Sequence, residues 1–460
     1  MELKFHNTLS GKLEEFQPRT PDLVQMYHCG PTVYGIQHIG NLSMFVFTDI
    51  LRRTLEYNNL NVKQVINFTD FGHLTSDADE GEDKMSKGLK TEGLSPTLEN
   101  MHKLGRKYAK IFLADIAKLN VNTTGTIFPY ASDYVQDQIE LIKTLEGKHF
   151  TYKTSDGIYF DTGKFPKYGQ LGGVSAFDTQ ARVTLNTEKH DQKDFALWKF
   201  NNELGWSSPW GQGFPGWHIE CSTMIIKLLG DQIDIHTGGI EHIPVHHNNE
   251  IAQSEAATGK EPFSKYWLHR AHLQVGGKKI AKSEGNTVYL SEIIEKGFSP
   301  LVLRYLLLLS HYRTPTNFTW EALEAARNAY RKLKEFTASL NSSGGKVDEK
   351  YKTLFKETIA NDLNTPETLA IVWKLVKDKS VSDADKYVTL IDFDRVIGLD
   401  LENNEFEIKD IPEDIMRIYK ERENARAKKD WKKADILRQE SFLKGYDISD
   451  TEEGQKLTKI

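Results

Sequence analysis

The sequence predicts an α/β protein: a parallel-sheet domain split by an insertion, then an α-helical bundle and a small C-terminal domain. Three observations predict this fold class. A strand–helix–strand pattern occupies the first 70 residues, the same rhythm returns after residue 215, and an almost wholly helical pattern runs from about residue 291. Alternation of apolar runs of strand length with amphipathic helices is typical of a parallel sheet covered by helices.

The first 70 residues form one predicted βαβ unit. An apolar run of strand length, LVQMYHC, covers 23–29, and the turn-rich GPTVYG follows it. Asn41 is a suitable cap for a helix over about 42–58. A second strand, NVKQVINFT, covers 61–69. Two strands joined by a crossover helix predict parallel neighbours in one sheet.

The alternation of strands and helices is absent over 71–215, which we interpret as an insertion with a helix at about 97–119 and several short aromatic strands. The alternation resumes after residue 215. The predicted elements are a helix at 219–229, a strand at 231–236, a helix at 246–256 and a strand near 266–275.

The remainder is predicted to be helical, with amphipathic segments at 319–340 and 365–378 that both begin with Thr. Between Arg417 and Lys444 there are ten Lys or Arg and five Asp or Glu, so this segment is locally basic. The predicted domains are 1–70 with 216–290 (two halves of the sheet domain), 71–215 (insertion), 291–318 (lysine-loop and linker helices), 319–400 (bundle) and 401–460 (basic C-terminal region).

Composition excludes several classes of protein. The chain has 460 residues, a net charge of −6 and 11% aromatic residues, which is typical of a folded globular protein. It has no apolar run of about 18 residues, and its first residues lack the apolar region of a signal peptide. Two cysteines in 460 residues exclude a disulfide framework. We therefore expect a cytoplasmic protein with no membrane segment.

Four side chains form a candidate zinc set. Cys29 ends the first predicted strand, where open α/β sheets place ligand-binding residues, and Cys221 begins a later helix. His246 and Glu250 are four residues apart, so a helix would put them on one face. Two thiolates, an imidazole and a carboxylate suit tetrahedral zinc. Spacing alone leaves open that neither pair binds a metal. The cysteines would then be small buried apolar residues, and the His/Glu pair would lie on a solvated face of the helix.

Two further segments suit a nucleotide. His38, Gly40 and Asn41 precede a helix, whose N-terminal N–H groups attract phosphate, and the small Gly allows close approach. The loop at 276–286 carries Lys279, Lys282 and Ser283, whose charges suit a pyrophosphate leaving group. Taken singly, each segment is equally compatible with an ordinary capped helix or a solvated basic loop.

Together these motifs resemble the class I aminoacyl-tRNA synthetases and, within them, the cysteinyl-tRNA synthetase family. That family has H-I-G-H or H-I-G-N after its first strand and K-M-S-K-S after its last. Here these are HIGN at 38–41 and KIAKS at 279–283. CGPTVY (29–34), NFTD (67–70), PGWHIECS (215–222) and HHNNEIAQS (246–254) also match, in the family's order. The resemblance runs from about residue 20 to about 455 and implies a Rossmann-like catalytic domain.

The resemblance also implies the role of each residue. Zinc would be held by Cys29, Cys221, His246 and Glu250. The cysteine substrate would be bound at Cys29, Thr69, Trp217 and His236. ATP would contact Gly30, His38, Gly40, Asn41, Gly238, Gly239, Glu241, Lys279, Lys282 and Ser283. Of these, His38, Asn41, Lys279 and Lys282 would stabilise the reacting phosphates.

The implied reaction is ATP-dependent activation of L-cysteine to cysteinyl-adenylate with Mg²⁺, then transfer to the terminal adenosine of tRNA(Cys) by a monomer. Shape alone discriminates poorly between cysteine and serine, by roughly 10–200-fold. Zinc prefers a thiolate to a hydroxyl, so one zinc ion per chain would be the specificity device.

Some residues depart from the family pattern. Ile280 and Ala281 stand where the family often has Met and Ser, and Leu457 stands where it often has Trp. Residues 236–241 are HTGGIE instead of H-G-G-G-S-D, so Thr237 replaces a Gly and Glu241 an Asp.

Three alternatives remain open at this point. One is a ligase that passes cysteine to a small amine such as an amino sugar, another is a catalytically silent paralogue, and a third is a nucleotidylyltransferase. The resemblance implies that the C-terminal region, 401–460, contacts the anticodon, and the basic segment within it favours tRNA over a small acceptor. A literal K-M-S-K at 84–87 lies before the insertion, and we interpret it as a coincidence. Acidic residues at 77–83 hint at a calcium loop but lack its downstream Glu.

Overall fold

The structure is a computed structural model that describes residues 2–71, 84–172, 187–280, 285–403, 413–451 and 454–459. It forms two compact units, Met1–Glu402 and Asn403–Ile460. This division is coarser than the predicted domains, whose boundaries stay predictions. The acidic residues at 77–83, Lys282 and Ser283 lie outside the described residues. Among the described helices, none combines the length and apolar character that crossing a membrane requires.

Strand, helix and strand alternate in the two halves of the sheet domain, as the sequence pattern predicts. The strands are β1 Lys4–Asn7, β2 Lys12–Glu15, β3 Leu23–His28, β4 Asn61–Ile66, β5 Thr151–Lys153, β6 Gly157–Phe160, β7 Phe195–Phe200, β8 Gly213–Pro215, β9 Ile233–Gly239, β10 Ser264–Arg270, β11 Leu273–Val275, β12 Lys278–Lys279, β13 Thr316–Phe318, β14 Tyr446–Thr451 and β15 Gly454–Lys459. The helices are α1 Ile39–Tyr57, α2 Lys84–Thr91, α3 Leu98–Lys118, α4 Val135–Gly147, α5 Trp217–Leu228, α6 Asn248–Thr258, α7 Leu290–Glu295, α8 Pro300–Leu308, α9 Trp320–Ser339, α10 Glu349–Ala360, α11 Thr365–Lys377, α12 Asp383–Ile397, α13 Glu413–Ala427 and α14 Trp431–Leu443.

The central sheet has the strand order β10-β9-β3-β4, and every neighbouring pair is parallel. All seven residues of β9 are buried, as expected for a strand covered on both faces. The chain proceeds from β3 to β4 on one side and from β9 to β10 on the other. The order therefore reverses between β3 and β9, and open α/β sheets bind ligands at the carboxyl ends of the strands at such a point.

Helices cover the two faces of this sheet. Phe45 and Val46 of α1 belong to an apolar cluster that continues into α3 and the helical bundle. On the other face, Ile225 of α5 and Ile251 of α6 pack with Tyr27 of β3. Side chains alternate along a strand, so successive residues at the end of β3 face different helices.

The segment between the two halves of the sheet has its own antiparallel sheet, β5-β6-β7-β8. Its buried Trp198 and Phe160 pack in the same cluster as α5 and α6. A Cβ at Gly216 would lie 2.0 Å from the carbonyl oxygen of Ala196. Only Gly fits there, so β7 holds the start of α5 close to the sheet edge.

Arg304 of α8 ties the bundle to the central sheet. Its side chain is fully buried, and its Nη2 donates to Asp49 of α1 at 2.5 Å. Its other donors bind the carbonyl oxygens of Ile397, Leu119 and Asn120 at 2.7, 2.9 and 3.1 Å. These carbonyls lie at the ends of α12 and α3, so one guanidinium satisfies otherwise unpaired helix termini.

Helix α1 begins three residues before the predicted start. His38, not Asn41, is the N-cap, because its Nδ1 accepts from the Asn41 N–H at 3.2 Å. Asn41 therefore lies within the first turn. Thr319 caps α9 as predicted, whereas Asn364, not Thr365, caps α11.

The second unit consists of α13, α14 and the antiparallel hairpin β14–β15. The prediction of helix to the end of the chain is therefore wrong for the last segment. Within this unit the guanidinium of Arg422 is buried and donates to Asp450 Oδ1 at 2.9 Å and Gln455 Oε1 at 2.7 Å. That pairing fastens the hairpin to α13.

Candidate active site

A cavity of about 260 Å³ lies at the carboxyl ends of β3 and β9, where the strand order reverses. Several candidate residues line it. They are Cys29, Gly30, Asn41, Thr69, Trp217, Cys221, Gly239, Glu241 and His246. Residues from both halves of the sheet domain thus meet in one cavity.

The four predicted zinc ligands come together at one end of this cavity. Donor atoms of Cys29, Cys221, His246 and Glu250 all lie within 4.8 Å of one another, and all four residues are buried. Cys29 comes from the end of β3 and Cys221 from α5. His246 lies in a π-helical turn, Ile243–His247, that leads into α6. A turn of this kind often occurs at a functional site because it redirects side chains.

The geometry of His246 suits a shared metal ion. Its Nε2 lies 2.9 Å from Oε1 of Glu250 but makes no hydrogen bond to any described residue. A second set of nearby donors replaces Cys221 and His246 by His236 and His247. The nitrogens of His247 already contact Cys29 Sγ at 3.3 Å and His269 at 2.8 Å. The first set therefore fits a tetrahedral ion better.

Two neighbouring imidazoles, those of His236 and His218, contact these donors, and a third, that of His269, contacts the nearby His247. His236 Nε2 donates to Oε2 of Glu250 at 2.8 Å, and its ring stacks on Trp267 with centroids 4.5 Å apart. Nδ1 of His246 lies 2.8 Å from Nδ1 of His218. His269, beside His247, is bonded in turn to Thr8 at 2.8 Å. Such outer contacts fix the orientation and tautomer of metal ligands.

The surrounding charges and hydrogen bonds give the two thiols different pKa values. Burial raises the pKa of Cys29, and the neighbouring Cys221 and Glu250 raise it further. Burial also raises the pKa of Cys221, but hydrogen bonding to Cys29 and the imidazole of His246 outweigh this effect and lower it to about 6. Burial would raise the pKa of Glu250, yet the imidazoles of His236 and His246 hold it well below its ordinary value. Cys221 is thus the thiol that loses its proton more readily.

Thr69 and Trp217 line the cavity beside these donors. The Thr69 hydroxyl donates to Oε2 of Glu220 at 2.9 Å, and the Trp217 indole stacks on His246 at 4.1 Å. Glu220 is fully buried, and burial holds its pKa well above the ordinary value. His236 is not among the residues that line the cavity. Its Nε2 donates a hydrogen bond to Glu250 instead.

The opposite wall carries the residues predicted to contact ATP. Asn41 lines the cavity, and its Nδ2 donates to Gln37 at 2.5 Å. A Cβ at Gly40 would lie 2.8 Å from Cδ1 of Ile280, so the lysine loop packs against the start of α1. Gly30 donates its N–H to the Asn67 side chain at 2.8 Å, and a Cβ there would lie 1.5 Å from the Asn67 carbonyl oxygen.

Gly238 and Gly239 end β9, and Glu241 follows them in a short 3-10 turn. A Cβ at Gly238 would meet the ring of His247 at 2.6 Å, and one at Gly239 would meet the Glu241 carboxylate at 2.3 Å. A side chain at Gly238 would collide with an imidazole ring, whereas one at Gly239 would require the Glu241 carboxylate to move. Of the two glycines, Gly239 lines the cavity. Glu241 Oε2 lies 3.4 Å from Nδ1 of His272.

Of the lysine loop, only part is described. Lys279 is exposed on β12, and its carbonyl oxygen accepts from Asn286 at 3.0 Å. Lys282 and Ser283 fall outside the described residues, so their roles remain predictions. Lys84, in the early K-M-S-K segment, lines the cavity. That segment is therefore a neighbour of the site, although it does not occupy the position of the lysine loop.

Sequence reasoning gave no role to several side chains at the site, among them His28, His218, Glu220, His242, His247 and His269. His28 and His242 line the cavity. Motif resemblance highlights only residues shared with the pattern, and none of these had a separate role there. Strand alternation could have placed His28, since it immediately precedes Cys29.

Comparison with known proteins gives the family. The profile described as "tRNA synthetases class I (C) catalytic domain" matches residues 15–328. The chain belongs to the cysteinyl-tRNA synthetase family.

Members of this family align with the whole chain. The "Cysteine--tRNA ligase 1" of Burkholderia lata is 43% identical over 99% of this chain and 97% of its own length. The "Cysteine--tRNA ligase" of Treponema denticola is 41% identical over 100% and 99%, and that of Chlamydia muridarum 37% over 100% of both. A solved methionyl-tRNA synthetase of Mycobacterium tuberculosis shares the fold, with a TM-score of 0.54 at 14% identity over 82% of this chain and 90% of that one.

Proposed function

We propose that this chain is a cysteine–tRNA ligase that activates L-cysteine with ATP and transfers it to tRNA(Cys). The observation that carries the proposal is one cavity that joins the donor set to the HIGN helix start. It is lined by Cys29, Cys221 and His246 of the buried donor set and by Asn41 of HIGN. A thiol-selective site beside a phosphate site suits a reaction that joins cysteine to a nucleotide. Relatives named for this activity cover the chain throughout.

The side chains suited to hold zinc are Cys29, Cys221, His246 and Glu250. When bound, Zn²⁺ would supply selective recognition of the cysteine sulfur over a serine hydroxyl. The protein contributes an orienting shell: His236 fixes Glu250, and Trp217 covers one face of His246. Burial of this end of the cavity excludes water from the amino acid and strengthens each polar contact made there.

The other wall would bind ATP, which enters with Mg²⁺. The carboxylate of cysteine attacks the α-phosphate, the bond to the β-phosphate oxygen breaks, and pyrophosphate leaves. His38 and Asn41 would contact the phosphates at the positive end of α1. Lys279 and Lys282, with Ser283, would stabilise the charge on the reacting phosphate and on pyrophosphate. Gly30, Gly40, Gly238 and Gly239 would let the nucleotide approach the backbone, and Glu241 would lie near the adenosine.

Support for tRNA as acceptor comes from the second unit. Trp431, at the start of α14, is 56% exposed. Four exposed lysines surround it in sequence, and none has an ion-pair partner among the described residues: Lys428, Lys429, Lys432 and Lys433. An exposed indole among free cations suits an unstacked base with its flanking phosphates. A small amine acceptor would need no such surface, so the amino-sugar ligase is not favoured.

The remaining alternatives are also not favoured. A silent paralogue would have no reason to keep four convergent metal donors, whereas here all four are buried together. A nucleotidylyltransferase would not need the donor set or the basic segment between Arg417 and Lys444. A monomeric state and a cytoplasmic location stay predictions, to be tested by size-exclusion chromatography with light scattering and by cell fractionation.

The deciding experiment measures bound zinc, cysteine-dependent ATP–pyrophosphate exchange and charging of tRNA(Cys) for the intact chain and for Cys221→Ser. We expect one zinc per chain, exchange with cysteine but not serine, and charging, with all three lost in the variant. A thermal unfolding profile of Cys221→Ser shows whether it is folded. Exchange that is indifferent to cysteine in the intact chain would contradict the proposal.

A further inference from the structure

His28 lies in the wall of the cavity and is not one of the residues given a role above. It ends β3, directly before Cys29, and is 1% exposed. Its Nδ1 lies 2.5 Å from the hydroxyl of Thr237 on β9, and its ring meets Phe45 of α1 edge-on at 5.0 Å. These contacts fix the plane of the imidazole.

The second ring nitrogen of His28 is unused. Nε2 is buried and has no hydrogen-bond partner within the described ranges. A buried polar atom that stays unpaired destabilises a protein, so such atoms in native structures usually indicate a missing water or ligand. His28 also lines the cavity, so its side chain borders the space that a bound substrate would occupy.

The strand places His28 on the nucleotide side of the cavity. Tyr27 and Cys29 point toward α5 and α6, with the metal donors, whereas His28 points toward α1 and packs on Phe45. The parallel register aligns His28 with Thr237, and on β9 Gly239, two residues further along, shares the face of Thr237. Asn41, Phe45 and Gly239 line the same cavity as His28.

We propose that His28 is a nucleotide-binding residue whose Nε2 hydrogen-bonds to the ribose or α-phosphate of ATP and of the adenylate. This inference rests on the proposed function. Thr237 acts as a positioning residue, since its hydroxyl fixes the ring through Nδ1. Either tautomer leaves Nε2 with one hydrogen bond to make. Thr237 stands where the family motif has Gly, which has no hydroxyl, so this pair is a feature of this chain.

The test uses the intact protein and three variants in ATP–pyrophosphate exchange: His28→Leu, His28→Gln and Thr237→Val. For His28→Leu we expect the KM for ATP to rise about 10- to 100-fold, the size of one lost hydrogen bond to a charged or polar ligand. The KM for cysteine and the zinc content should stay unchanged. His28→Gln, whose amide can reach the same position, should recover part of the loss.

Thr237→Val should raise the KM for ATP less, and it should add nothing in the His28→Leu background, because it acts through the ring. A rise in the KM for cysteine in place of ATP, or an unchanged KM for ATP, would overturn the inference. Should His28→Leu fail to fold, as judged by thermal unfolding, His28→Gln and Thr237→Val carry the same comparison. Absence of exchange in the unmodified chain would contradict the proposed function itself.

Discussion

The Nε2 atom of His236 lies 2.8 Å from Oε2 of Glu250, and both side chains are fully buried. The other carboxylate oxygen, Oε1, faces His246 and lies 3.8 Å from the sulfur of Cys29. One oxygen is therefore held by a supporting imidazole while its twin faces the donor set. The hydrogen bond from His236 therefore orients the Glu250 carboxylate before any ion binds.

From this relationship we predict that His236→Leu weakens zinc binding about 10- to 100-fold, because a metal ligand loses its orienting partner. Competition with a chromophoric chelator measures the affinity directly. His149→Leu is the control, since that side chain is exposed, lies in the insertion and belongs to none of the donor clusters among the described residues. Zinc affinity equal to that of the unmodified chain in His236→Leu would show that Glu250 needs no such support.

Gly30 is expected to be irreplaceable. In Gly30→Ala the new Cβ would lie 1.5 Å from the carbonyl oxygen of Asn67, which requires backbone movement between β3 and β4. We expect a loss of about 3 kcal/mol or more in the free energy of unfolding. Urea unfolding measures it. Gly35→Ala, in the same loop with nothing within 4 Å of its Cβ, should change stability by less than about 0.5 kcal/mol.

Trp431 is predicted to act on tRNA and not on cysteine activation. In Trp431→Ala we expect tRNA binding to weaken by about 1–3 kcal/mol, the range for one lost base–aromatic stack. ATP–pyrophosphate exchange should be unaffected. Ile436→Ala removes a similarly exposed apolar side chain of the same helix, 58% exposed, and serves as control. Equal effects of the two variants on tRNA charging would argue against base stacking.

The buried pair of Arg304 and Asp49 is predicted to be a major stabilising contact. Arg304→Met removes one of the two guanidinium partners of the buried Asp49 carboxylate, of which Arg53 remains. It also leaves without a donor the carbonyl oxygens that Arg304 bonds, so we expect a loss of about 3–5 kcal/mol. Arg327→Met is the control, because its ion pair with Glu324 leaves both side chains more than 40% exposed and contributes about 0–1 kcal/mol. Chemical denaturation of both variants gives the comparison. Losses of similar size would mean that burial does not distinguish these pairs.

The sequence was sufficient to predict the parts of the fold that depend on local pattern. The β3–α1–β4 unit and the later strands follow apolar periodicity, which tertiary packing here reinforces. The start of α1 was misplaced because His38 caps it with a ring nitrogen, and imidazole is not among the usual capping groups. The hairpin at 446–459 was missed because the surrounding charge-rich segment resembles a solvated helix.

Some features of the candidate site could likewise be predicted from the sequence and others could not. Motif order indicated the four metal donors, and the fold brings them within 4.8 Å. The contact of His28 to Thr237 joins residues 209 apart in the chain. The contact of His236 to Glu250 spans 14 residues but joins β9 to α6, so neither follows from the spacing within one element. Such pairs depend on which strands become neighbours, and strand order cannot be read from periodicity.

The separation of β3 from β9 along the chain also affects synthesis on the ribosome. The two strands pair in register, yet about 200 residues, including the antiparallel sheet β5–β8, are made between them. Until β9 emerges, one edge of β3 is unpaired and Cys29 has no partner thiol. Exposed strand edges favour aggregation, and distant pairing slows folding. A nascent chain that ends before residue 233 therefore exposes an unpaired, aggregation-prone edge of β3. We expect chaperones that bind nascent chains to recognise it.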